Sequence, residues 1–157
     1  MRAARAAAVA AVGAAGVAAV HHPMLSARFR SLQVDLGDSR FLHYLLEHSW
    51  LWTLQAPGHE SFWDAPFFHP VANVITFSDS LLSFAPLYWI WRFAGASSGT
   101  AFGLWMVSVS SLNYAAAVLL FRYGFVFRAA ATAAGAGLLA FGAPRVSQLG
   151  HQQLLPC

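Results

Sequence analysis

Apolar and polar positions divide this chain into blocks. Residues 3 to 20 are almost all Ala, Val and Gly, behind Arg2 and Arg5. A charged start followed by a short apolar run fits a cleaved signal peptide, with small residues near Ala18 and Ala19. It also fits a first transmembrane helix with a cytoplasmic N-terminus. The second reading is preferred, because further apolar segments follow. Residues 101 to 121 (AFGLWMVSVSSLNYAAAVLLF) are uncharged over 21 positions. At 1.5 Å per residue, about 20 residues cover a hydrocarbon core of about 30 Å, so this is the best spanning segment. Residues 129 to 143 are apolar but short, and a span there is expected to start near Tyr123 with Arg128 reaching the interface.

Residues 81 to 94 (LLSFAPLYWIWRFA) contain Pro86 and Arg92. An apolar run of this length is more often interfacial or re-entrant than spanning. Charge bias agrees. If 81–94 stays at the interface, Arg122 and Arg128 fall on the cytoplasmic side, as the positive-inside tendency prefers. The pattern therefore predicts an all-α membrane protein with about three transmembrane helices. These are 1–20, 101–121 and 123–144, with an external loop over 21–100 and an external segment over 145–157. The expected location is the plasma or inner membrane, with the large loop on the external or periplasmic side. Gly135 and Gly137 among alanines either give a smooth face for close helix packing or simply belong to an alanine-rich composition.

The loop has a different character. Residues 21 to 80 hold all six acids of the chain and three of its nine arginines, a net charge of −3 with His neutral. Trp50, Trp52, Trp63 and many Phe accompany them, which suits a domain lying on a membrane surface among headgroups. Gly37 and Asp38 read as a helix start with Asp38 as the N-cap. Phe41, Leu42, Leu45, Leu46 and Trp52 then occupy one helix face, and Arg40, His43 and Glu47 the other. That is an amphipathic interfacial helix. Asp79 reads as the cap of the following segment, ahead of Ser80.

Composition supports this picture. Only 10% of the 157 residues are charged, against about a quarter in an ordinary soluble domain, and 58% are apolar. The formal charge of +3 does not point to nucleic acid, because the arginines are spread singly with no basic patch. The one cysteine, Cys157, excludes an intrachain disulfide.

Chemistry-bearing residues concentrate in the loop. His43 and Glu47, four apart, read as a surface pair rather than as metal ligands. In HESFWDAPFFHP (59–70), His59, Glu60, Asp64 and His69 alternate with Trp63, Phe67 and Phe68. Carboxylates among flat rings suit a sugar; a membrane-hugging loop shaped by Pro66 and Pro70 explains the composition as well. Gln148, His151, Gln152 and Gln153 near the C-terminus could face a polar cavity or form an ordinary polar loop. No nucleophile elbow, P-loop or dinucleotide-binding glycine pattern occurs.

Taken together, GDSRFLHYLLEH, FWDAPFFHP, SDSLLSFAPLYW and APRVSQLGHQQLLP resemble the N-terminal module of GT-C superfamily membrane glycosyltransferases over most of residues 5 to 157. The resemblance implies a polytopic enzyme that moves a sugar from a polyprenyl-phosphate donor to an acceptor at the external membrane face. It implies Asp38 as the catalytic acid soon after the first helix. Asp64, Arg40, His59, Trp63 and His151 are then expected to contact substrate, with lipid-linked sugar and membrane lipids as partners. Many members carry two adjacent acids where this chain has Asp38–Ser39 with Asp35 upstream, so a divalent metal is possible rather than implied. Three spans cannot enclose both substrates, so the chain is expected to be the N-terminal part of a longer protein, inactive by itself. The alternative expectation is a non-catalytic membrane protein, a transporter or assembly subunit, whose acidic loop docks partners. Acids within the spans would favour transport, and none is found there.

Overall fold

The computed structural model describes residues 2–31, 37–68 and 70–147. It is all-helical, at 69% helix, and no strand occurs among the described residues. Two compact units divide the chain: Met1–Gln33 with Met106–Cys157, and Val34–Trp105. Asp35, His69, Gln148, His151, Gln152 and Gln153, all singled out by sequence, lie outside the described residues.

In the first unit, α1 (Arg2–Val20) leads into the short α2 (His22–Ser26). The distal part of α5 (Ser98–Leu119) continues as a π turn over Leu120–Gly124, and then come α6 (Ala129–Phe141) and α7 (Ala143–Val146). Alanine-rich α1 packs along α6, because small side chains let two backbones approach closely. The closest fits are two ring-into-glycine contacts. A Cβ on Gly13 would lie 2.5 Å from the Tyr114 ring, and one on Gly16 would lie 2.2 Å from the Phe141 ring. The two rings stack with centroids 5.6 Å apart, and the Tyr114 hydroxyl donates to the Val9 carbonyl at 2.7 Å. At the end of α1, the buried His21 ring meets the Ser110 hydroxyl at 2.9 Å.

Among the described residues, two helices are long and apolar enough to cross a membrane, Ala3–Val20 and Ser98–Gly124. The apolar helix within 123–144 occupies Ala129–Phe141, and its 13 residues cover about 20 Å. Tyr123 and Gly124 belong to the π turn, so the helix starts later than Tyr123. Within 81–94 the helix is α4 (Ala85–Phe93), whose nine residues are too short to cross.

The second unit is built on α3 (Asp38–Thr53), α4 and the first turns of α5. Its core joins Leu42, Leu45 and Leu46 of α3 to Tyr88 of α4 and to Phe102 and Trp105 of α5. Phe62, Val74, Ile75 and Leu81 of the long α3–α4 connection complete it. That connection carries a 3-10 turn at Val74–Phe77 and no longer element. Indole donors tie the parts together: Trp105 Nε1 donates to the Phe84 carbonyl and Trp89 Nε1 to the Ser49 hydroxyl, each at 3.0 Å.

The polar side of α3 is less exposed than its helical wheel suggests. Ser39, His48 and Ser49 are buried alongside the leucines, and Glu47 is half-buried. The wheel separated apolar from polar positions correctly but could not show that α4 and α5 cover much of the polar side. Asp79 likewise caps nothing: α4 begins at Ala85 behind Phe84, and it is the Ser80 hydroxyl that accepts from the Leu82 N–H.

Candidate functional site

The acid-bearing second unit holds every described residue with chemical potential singled out by sequence. Asp38 stands in the first turn of α3, one place later than expected, because Gly37 occupies the N-cap. Gly37, without a side chain, makes no side-chain cap. A carboxylate there is still favoured by the unsatisfied N–H groups of the helix start. Asp38 is half-buried, and Arg40 is exposed two residues on, on a different side of the helix.

Nearer the middle of α3, Glu47 does not pair with His43 at the surface. Its carboxylate meets Arg92 Nη2 of α4 at 3.0 Å and accepts a hydrogen bond from the Tyr88 hydroxyl. Arg92 also donates from Nη1 to the Ala96 carbonyl at 2.6 Å and lies 5.8 Å over the Trp50 ring. Burial, then the Glu47 carboxylate, push the Tyr88 phenol upward, so it remains a neutral donor. His43 stacks on Phe102 with centroids 5.0 Å apart, and its Nε2 has no partner.

A third constellation was not legible in the sequence. His48, fully buried, places Nε2 3.0 Å from the Phe62 carbonyl and Nδ1 2.7 Å from Nδ1 of His59. A carbonyl only accepts, so His48 carries its proton on Nε2, and its Nδ1 is then a lone pair in the neutral ring. His59 must donate from Nδ1, and in the neutral His59 ring Nε2 is then a lone pair. Tyr44 stacks on His48, and Glu60 is the charged neighbour of His59. No motif links residues 48 and 59; only the folding back of the loop through Phe62 joins them.

The rest of the loop is tied down by its own acids. Asp64 accepts from the Asn73 N–H at 2.6 Å, which is what chiefly lowers its carboxyl, with the Ser61 side chain assisting. Glu60 accepts from the Gly58 N–H at 3.0 Å and is likewise lowered. Trp63 keeps 44% of its surface exposed while its carbonyl accepts from Ile75 N–H, so the ring is presented by an anchored backbone. The structure thus brings His59 to His48 and Asp64 to Asn73. Asp38 stands ten residues before His48 on α3, about 15 Å along the axis. Among the described residues, no three His, Cys, Asp or Glu side chains are grouped to hold a metal.

Desolvation is the leading cause that pushes both His43 and His48 downward; Glu47 opposes it for His43 and the Phe62 carbonyl for His48. Folding therefore favours the neutral rings. Above the ordinary histidine value of 6.5 their contribution is full, and it is lost as pH falls below that value, where the unfolded chain binds protons first. The melting temperature of the second unit is expected to fall between about pH 7 and pH 5, and His48→Phe to flatten the slope. A melting temperature independent of pH over that range contradicts this account.

No protein-family model, curated protein or solved structure matches the chain.

Proposed function

We propose that this chain forms the N-terminal part of a membrane glycosyltransferase that uses a polyprenyl-phosphate-linked sugar. The observation that carries the reading is a folded, acid-bearing unit lying in sequence between two helices apolar enough to span, with Asp38 in its first helical turn. In this reading α1 and α5 cross the membrane, α6 is a third membrane segment, and the second unit stands at the external face. The Asp38 carboxylate accepts the proton of an acceptor hydroxyl as that oxygen attacks the anomeric carbon. The bond to the polyprenyl phosphate breaks, and the phosphate carries away the electron pair.

Asp38→Asn tests this, in membranes from cells producing the protein that contains this chain, supplied with lipid-linked sugars. Losing the proton acceptor is expected to slow transfer by about a hundredfold or more. Transfer at the wild-type rate removes Asp38 from the mechanism.

A second reading, a non-catalytic docking unit, draws on a specific observation: Glu47, Glu60 and Asp64 all serve the unit's own structure. Saturable binding of a polyprenyl-phosphate sugar favours the enzyme, and its absence favours docking.

A further inference from the structure

We propose that His59, with its tautomer fixed by His48, is a subsite that accepts a hydrogen bond from a sugar hydroxyl at Nε2. The inference rests on the glycosyltransferase reading for its substrate class and on the two-histidine geometry for its chemistry.

The geometry leaves little freedom. The His48 ring is fully buried and held on both nitrogens, by the Phe62 carbonyl at 3.0 Å and by His59 Nδ1 at 2.7 Å. In the neutral pair, a single proton lies between the two Nδ1 atoms, and His59 must supply it. Among the described residues no hydrogen bond reaches His59 Nε2, and the ring is half-exposed. A half-exposed imidazole usually interconverts between tautomers and can offer either a donor or an acceptor. This one presents a fixed acceptor, so it selects a donor such as a hydroxyl.

The same loop carries exposed rings, Trp63 at 44% and Phe68 at 69%, of a kind suited to the apolar faces of a pyranose. Glu60, whose carboxylate accepts from the Gly58 N–H, interacts electrostatically with His59. A negative neighbour disfavours a phosphate at this position, so a neutral sugar unit is the better match.

The separation adds a second element. His48 lies about 15 Å from Asp38 along α3, so His59 does not touch the reacting hydroxyl. It holds a remote unit, and an acceptor engaging both residues is longer than one hexose. His59 is thus a binding residue and His48 a positioning residue.

The test uses the full chain in lipid nanodiscs with nitrogen-15-labelled histidine. At neutral pH the His59 spectrum should show Nδ1 protonated and Nε2 bare. Adding free mannose, glucose or galactose should then move the Nε2 signal of His59. His59→Phe abolishes that response, and His48→Phe, which releases the tautomer, weakens hexose binding by about five- to tenfold, the scale of one hydrogen bond. If His48→Phe does not fold, the wild-type tautomer and hexose shift still decide. A protonated Nε2, or no shift with any of the three hexoses, overturns the proposal. In the transferring protein, His59→Phe should raise KM for a glycan acceptor with little change in kcat, whereas Asp38→Asn lowers kcat. A wild type that transfers no lipid-linked sugar defeats the glycosyltransferase reading, while the spectra still report on the subsite.

Discussion

Gly16→Leu is expected to eliminate the folded first unit. A Cβ at this position would already lie 2.2, 2.3 and 2.8 Å from ring atoms of Phe141, well inside any contact that real side chains make. The third of these atoms is Cγ, at the base of the ring, so a swing of the ring tip does not relieve the overlap. Retreat is blocked on the other side. Phe141 stacks on Tyr114, and Tyr114 is itself seated against Gly13 and hydrogen-bonded to Val9. Overpacking a core usually costs about 1 to 3 kcal/mol, and a leucine driven into two coupled rings belongs at or above the top of that range. Protein extracted from membranes should lose its protease-resistant core and its monodisperse elution. A companion change, Phe141→Ala in the Gly16→Leu background, removes the obstructing ring and should restore part of the fold. A Gly16→Leu protein as protease-resistant as wild type shows that the contact is not tight.

Glu47→Ala is expected to be the most damaging single change in the second unit. It removes the counter-ion of Arg92 and the acceptor of the Tyr88 hydroxyl together. The two charged side chains are 22% and 23% exposed, so water screens them only in part. Breaking a fully buried pair costs about 3 to 5 kcal/mol, and this degree of exposure brings the expectation to about 2 kcal/mol. Glu47→Gln keeps an acceptor for Tyr88 and should cost less than alanine does. Pairing Glu47→Ala with Arg92→Met should recover stability, because the stranded charge is gone. Amide exchange in α3 and α4 reads these differences. Equal protection in wild type and Glu47→Ala would show that the ion pair holds nothing together.

The helices themselves were legible in the sequence because their signals are local. The alanine run of α1, the uncharged stretch of α5 and the start of α3 after Gly37 all follow from composition and turn chemistry within a few residues. The partners of the polar residues were not legible. Glu47 has a histidine four positions earlier, and i,i+4 spacing favours that pair, yet Arg92, 45 positions on, takes the carboxylate. His48 read as one histidine among several, because only the return of the chain through Phe62 gives it two partners. The glycines show the same limit. Gly135 and Gly137 stand out among alanines, and a Cβ on Gly135 would meet the Phe121 ring at 3.2 Å and one on Gly137 would meet Val12 at 3.4 Å. Gly13 and Gly16, inside an equally bland run, are packed tighter still, at 2.5 and 2.2 Å from their rings. Of the proposed site, the acids, the aromatics and Asp38 near a helix start could be read from the chain. The hydrogen-bond order that gives His59 its chemistry could not.

The division into two units also separates the chromophores. All six tryptophans, Trp50, Trp52, Trp63, Trp89, Trp91 and Trp105, fall within Val34–Trp105, and none lies in the first unit. Indole emission is therefore a private signal of the acid-bearing unit. Backbone circular dichroism, by contrast, sums over both. Comparing the two along a single denaturation curve separates the melting of the second unit from that of the first without any label or truncation.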